Sequence, residues 1–182
     1  MARDYRPASS RLAIDANVLS LLVVYNLCVN ARAVERGIIL NEVRRGQDKS
    51  DLPPERFEDL WQVFSSGRVT RRIVTQHVVA ETLSRLRGWL KVRSEAVRNS
   101  GISLVLAFGL EEQPCRIRDL AADEAYLKAL IVLGPTDAGL LHVAESTRAT
   151  LITDDGPLRG FAAGRGVEAY PVGDVHLLAQ HP

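Results

Sequence analysis

Two apolar, strand-like runs in this chain each end directly in an acid. Leu12-Ala13-Ile14 leads into Asp15, and Thr150-Leu151-Ile152-Thr153 leads into Asp154 and Asp155. A carboxylate at the mouth of a buried strand is costly to desolvate unless it is paired or holds a cation. Two such mouths in one small chain point to a metal site, and the next question is which other acids join it.

Asp137 is the third candidate. Positions 137, 140, 141 and 144 form one helical stripe of Asp, Leu, Leu and Ala, so the acid leads the buried face of its helix at the first turn. A plainer reading is an acid that complements the helix dipole or caps with Thr136. Glu81 is the fourth, soon after the second strand-like run; its plainer reading is an ion pair with Arg85 four residues on. Asp15 also suits an N-cap for the helix that follows, and a turn or N-cap accounts for one acid of Asp154-Asp155 but not easily for both. Together the four acids are the hard oxygen donors that Mg²⁺ or Mn²⁺ prefers, and no His/Cys cluster competes for zinc.

These acids need a scaffold. Leu12 to Ile14 reads as a short buried strand and Val18 to Asn30 as a helix. Ala33 to Arg44 reads as helical and 46–54 as a polar loop. A helix over Glu55 to Ser65 carries Phe57, Leu60, Trp61 and Phe64 on one face. Val69 to Thr75 reads as a strand, and a long helix is expected from His77 to Arg98. Ile102 to Phe108 is open between strand and helix, and Cys115 to Leu120 suits an edge strand. Helices follow at Asp123 to Val132, stopped by Gly134-Pro135, and from Thr136 or Asp137 to Thr147. Then come a strand to Thr153, a helix over Pro157 to Ala163 and a strand over Val167 to Val172. The alternation argues for an α/β domain with a small, mostly parallel sheet. In such sheets the functional crevice lies at the carboxyl ends of the strands, where Asp15, Asp154 and Asp155 sit.

Composition narrows the class. With 182 residues, 46% of them apolar, the chain suits a single domain over 11–182 after a loose arm at 1–10. A formal charge of +1 provides no bulk pull toward nucleic acid or membrane, so any RNA contact must be local. Lys occurs only at Lys49, Lys91 and Lys128, and Arg supplies the rest of the 23 basic residues. Cys28 and Cys115 belong to no CxxC pair and read as reduced, buried thiols. With no signal peptide and no spanning segment, a cytoplasmic protein away from membranes is expected.

The order Asp15, Glu81, Asp137, Asp155 resembles the PIN domain family, most closely its VapC-like toxin ribonuclease branch. The matching stretches are Leu-Ala-Ile-Asp-Ala-Asn-Val-Leu at 12–19, Val-Val-Ala-Glu-Thr-Leu at 78–83, Thr-Asp-Ala-Gly-Leu-Leu-His-Val-Ala at 136–144 and Leu-Ile-Thr-Asp-Asp at 151–155. The resemblance implies a PIN-like three-layer fold, Mg²⁺ or Mn²⁺ held by the four acids, and endoribonuclease cleavage of single-stranded or structured RNA. It puts Thr153 and Asp155 on the fourth motif, with Asp154 at its variable position. Asn17 falls on a polar position that hydrogen-bonds the acids. It also implies a homodimer and a small cognate antitoxin. The segment between Asp15 and Glu81 is longer than in the compact toxins of this branch, with an extra polar stretch near 31–54.

Beyond Glu81 the expected long helix is basic, with Arg85, Arg87, Lys91, Arg93 and Arg98. Arg85, Arg87 and Lys91 are candidates for a phosphate track, against the plainer reading of a solvated helix surface. Three other functions compete: a different Mg²⁺-dependent phosphoryl hydrolase, structure-specific DNA cleavage, or a catalytically silent PIN-like scaffold for RNA or protein. A nucleophilic-Asp phosphatase wants a second acid two residues after the first, where this chain has Asn17.

Overall fold

The computed structural model describes residues 10–46, 57–90, 95–175 and 178. The chain is an α/β protein built on five strands: β1 (Arg11–Ile14), β2 (Arg71–Thr75), β3 (Leu110–Gln113), β4 (Thr150–Ile152) and β5 (Ala169–Tyr170). Their order in the sheet is β3-β2-β1-β4-β5, and every neighbouring pair is parallel. β1 is central. Leu12, Ala13 and Ile14 are all fully buried, as a strand covered on both faces requires.

The helices follow from their sequences. α1 (Ala16–Asn30) is apolar nearly all round and is buried along most of its length, with α2 (Ala33–Gly46), α3 (Phe57–Ser65), α4 (Gln76–Trp89) and α5 (Glu95–Ala107) packed on it. α6 (Ile117–Ala121), α7 (Glu124–Leu133) and α9 (Gly156–Gly164) gather around α8 (Pro135–Thr147), which packs against β1, β2 and β4. The arrangement is consistent with a three-layer α/β fold. Gly134 has φ +86°, a conformation that glycine adopts without strain, so Gly134-Pro135 ends α7 and starts α8 in one step.

The order of the strands decides where a site can form. The chain builds outward from β1 through β2 to β3, then returns to lay β4 on the other side of β1 and continues to β5. The order therefore reverses between β1 and β4, the switch point at which open parallel sheets leave a crevice at their carboxyl ends.

Several expectations change. The long helix ends at Trp89, with Leu90 as its cap. Gly88 weakens the helix there, and Trp89 and Leu90 turn into the core. Ile102 to Phe108, open between strand and helix, resolves as helix: α5 runs through Ala107, and Phe108 joins Phe64 edge-on at 5.3 Å. The edge strand lies at Leu110–Gln113, not at Cys115 to Leu120, where α6 forms instead. Leu-Glu-Glu-Gln has little strand character of its own; pairing with β2 and the Arg71–Glu111 ion pair hold it there. The last strand contracts to two residues. The helix expected from Ala33 is present and extends to Gly46, which takes in much of the 31–54 segment. The arm at 1–9, the loop at 47–54, Lys91 and Arg93 lie outside the described residues. Cys28 and Cys115 are both buried, and no helix among the described residues is long and apolar enough to cross a membrane.

Candidate functional site

Register brings the first pair of groups together. Ile14 and Ile152 are partners across β1 and β4, so the residues that follow them, Asp15 and Thr153, leave the sheet side by side. The Asp15 amide donates to the Ile152 carbonyl at 3.2 Å. The Thr153 hydroxyl then donates to Asp15 Oδ2 at 2.8 Å, and the Asn17 amide donates to Asp15 Oδ1 at 3.1 Å. Asp15 is thus both the N-cap of α1 and a carboxylate at the switch point. It is 7% exposed. Burial pushes its carboxyl above the usual carboxylate range, opposed by the hydrogen bonds from Thr153 and Asn17 and by the charge of Arg85.

Asp155 leaves the same strand two residues after Thr153. Its amide donates to the Thr153 hydroxyl oxygen at 3.0 Å, and its Oδ1 caps α9 by accepting from the Leu158 amide at 2.7 Å. Asp154 turns the other way. Its Oδ1 accepts from the Val172 amide at 3.0 Å and so ties the strand end to the 3-10 turn at Val172–Asp174; its Oδ2 is buried with no partner among the described residues. One acid of the pair serves the crevice and the other the neighbouring turn.

Asp137 enters from α8, in the first turn set by Gly134-Pro135. Burial raises its carboxyl first, and the charges of Asp15, Asp155 and Glu81 raise it further, to about 7, against the opposing charge of Arg85. The four acids that share no sequence neighbourhood therefore act on one another. Glu81 comes from α4, which starts directly after β2 with Thr75 as its cap.

Glu81 makes the Arg85 pair that its spacing suggests: Arg85 Nη2 lies 2.5 Å and Nε 3.1 Å from Glu81 Oε1. Arg85 Nη1 also donates to the Asn17 side-chain oxygen at 3.1 Å. Asn17 thus meets the cluster twice, through its amide at Asp15 and through its side chain at Arg85. Arg87 is exposed on α4. Arg98 falls on the separate helix α5, so the basic residues expected on one long helix are not on one continuous helix.

The oxygen-only donor set and the mutual repulsion felt at Asp137 suit a hard divalent cation. The arrangement is not closed around one, however. Among the described residues no three His, Cys, Asp or Glu side chains stand in position to hold a metal ion. Oxygens of Asp15, Glu81 and Asp155 instead accept hydrogen bonds from Thr153 and Asn17, from Arg85, and from the Leu158 amide.

One contributor went unread in the sequence. Thr82, fully buried beside Glu81, donates from its hydroxyl to the Ala16 carbonyl at 3.4 Å and ties α4 to the start of α1. The stripe Val78, Thr82, Leu86 was the available signal, a polar residue at the centre of a buried face. Trp61, Trp89 and Tyr126, aromatic side chains large enough to stack on a base, are packed into or against the core. His142 meets the Tyr126 ring edge-on at 4.9 Å.

Comparison of the chain with protein-family models, with curated proteins and with solved structures finds no match.

Proposed function

We propose that this protein is a PIN-like, metal-dependent endoribonuclease that cleaves RNA phosphodiesters at Asp15, Glu81, Asp137 and Asp155. The observation that carries the reading is the convergence of these four acids at the switch point of a parallel sheet, where burial first, and then the charges of Asp15, Asp155 and Glu81, raise the Asp137 carboxyl to about 7. Asp15 and Asp137 are the principal candidates to hold Mg²⁺ or Mn²⁺, with Asp155 and Glu81 at the margin. When bound, the cation would neutralise phosphate charge and acidify a nearby water. The protein's own groups do the rest. Thr153 and the Asn17 amide hold the Asp15 carboxylate in one orientation, and the α9 amide fixes Asp155. Arg85 and exposed Arg87 are the described cations on α4 able to meet a phosphate.

The Glu81–Arg85 pair and the absence of a ready three-ligand group among the described residues favour a second reading, a catalytically silent scaffold that binds RNA or protein. One experiment separates them. Purified protein is incubated with structured and with unstructured RNA in Mg²⁺, in Mn²⁺ or in EDTA, alongside Asp15→Asn. Cation-dependent cleavage that disappears in the variant supports the nuclease. Intact RNA under every condition, from folded protein, supports the scaffold.

A further inference from the structure

Glu81 and Asn17 stand on different helices, and a single guanidinium joins them. Two Arg85 nitrogens converge on Glu81 Oε1, at 2.5 and 3.1 Å, and the third donates to Asn17 at 3.1 Å. An ordinary i,i+4 pair on a helix surface uses no partner outside its helix and contributes little. This one reaches across to α1 beside Asp15. Its charge bears on both Asp15 and Asp137. A guanidinium keeps its charge at any ordinary pH, so this is a permanent positive charge inside the acidic cluster.

The consequence is a competition. One Glu81 oxygen, Oε1, already accepts two N–H groups, and Asn17 anchors the cation that supplies them. We propose that Arg85 is a tethered cation of the acidic cluster, which competes with a divalent ion for Glu81 and weakens divalent-cation binding at the acids. This rests on the reading that the cluster takes such a cation. Removing the guanidinium would free one hard oxygen donor and take one positive charge from the site, and both changes favour a divalent ion.

The test is a Mn²⁺ titration of the full chain, with free Mn²⁺ followed by electron paramagnetic resonance. The proteins are wild type, Arg85→Gln, Arg85→Lys, Glu81→Gln and the Arg85→Gln/Glu81→Gln double variant. The Arg85 side chain is 36% exposed, so its truncation opens no cavity in the core, and circular dichroism checks each fold. Arg85→Gln should bind Mn²⁺ roughly tenfold tighter than wild type, and Arg85→Lys, which keeps the charge, within about twofold of it. Glu81→Gln alone should weaken binding, because it removes an acid and leaves the Arg85 charge uncompensated; direct competition further predicts that Arg85→Gln tightens binding less in the Glu81→Gln background than in wild type, a non-additivity that loss of charge alone does not produce. Equal or weaker binding by Arg85→Gln than by wild type overturns the tethered-cation proposal and leaves the metal reading standing. Binding by none of the proteins overturns both.

Discussion

The Thr153 hydroxyl donates to Asp15 Oδ2 across the point where the strand order reverses, joining residues 138 positions apart at 2.8 Å. Thr153 is fully buried and Asp15 nearly so. The same hydroxyl oxygen accepts from the Asp155 amide, so one side chain orients two of the candidate acids.

Thr153→Val keeps the shape of the side chain and removes the donor. It leaves a buried carboxylate oxygen unsatisfied and should cost about 2 kcal/mol of stability, read by urea unfolding. Thr153→Ser keeps the hydroxyl and loses only a methyl group, so its cost should be under about 1 kcal/mol. Equal losses in the two variants would assign the effect to packing instead of the hydrogen bond.

Asp137 should make stability fall as pH rises. Its carboxyl is raised from 3.8 to about 7 in the folded protein, so between those values the native state holds a proton that the unfolded chain releases. The penalty is absent below the lower value, grows through the window and is complete above the upper one. Asp137→Asn removes it. The variant should be more stable than wild type by about 2 kcal/mol at about pH 8, after allowance for partial exposure, and by less than about 0.5 kcal/mol at about pH 4. Thermal unfolding at the two pH values checks this. A gain of the same size at both would mean that titration of Asp137 is not its source.

Asp155 serves two purposes that separate by substitution. As the N-cap of α9 it accepts from the Leu158 amide at 2.7 Å. Asp155→Ser can still cap and should keep stability within a few tenths of a kcal/mol, roughly, whereas Asp155→Ala should lose about 1 kcal/mol. On the nuclease reading both variants lose RNA cleavage, because neither retains the carboxylate. Full cleavage by Asp155→Ser would confine Asp155 to the cap.

The Tyr126 cluster bears on how α7, α8 and the end of α9 are held, apart from the acids. The buried Tyr126 hydroxyl donates to Glu145, and the Arg165 guanidinium donates to the same carboxylate and lies 4.6 Å from the Tyr126 ring centre. Burial pushes the Tyr126 phenol well above its ordinary value, so it stays a donor throughout the working range. Nothing in the sequence linked positions 126, 145 and 165, which lie on or directly after different helices.

What the sequence determined by itself is what a few neighbouring residues decide. Asp15 and Asp155 read as acids at strand ends that also suit caps, and both cap the helices that follow them. Glu81 and Arg85 read as a pair because one helical turn separates them. The parallel α/β class followed from apolar runs alternating with helical stripes. Only the tertiary structure decided the rest. Leu110–Gln113 is a strand because β2 lies beside it, and the chain turns at Leu90 because Trp89 and Leu90 find the core. The reversal of strand order between β1 and β4, the Thr153–Asp15 bond and the reach of Arg85 to Asn17 join positions far apart in the chain. Caps and periodicity are set by contacts within a turn or two and leave a pattern in the sequence. Contacts between elements depend on the order in which the strands pair, which no local pattern encodes.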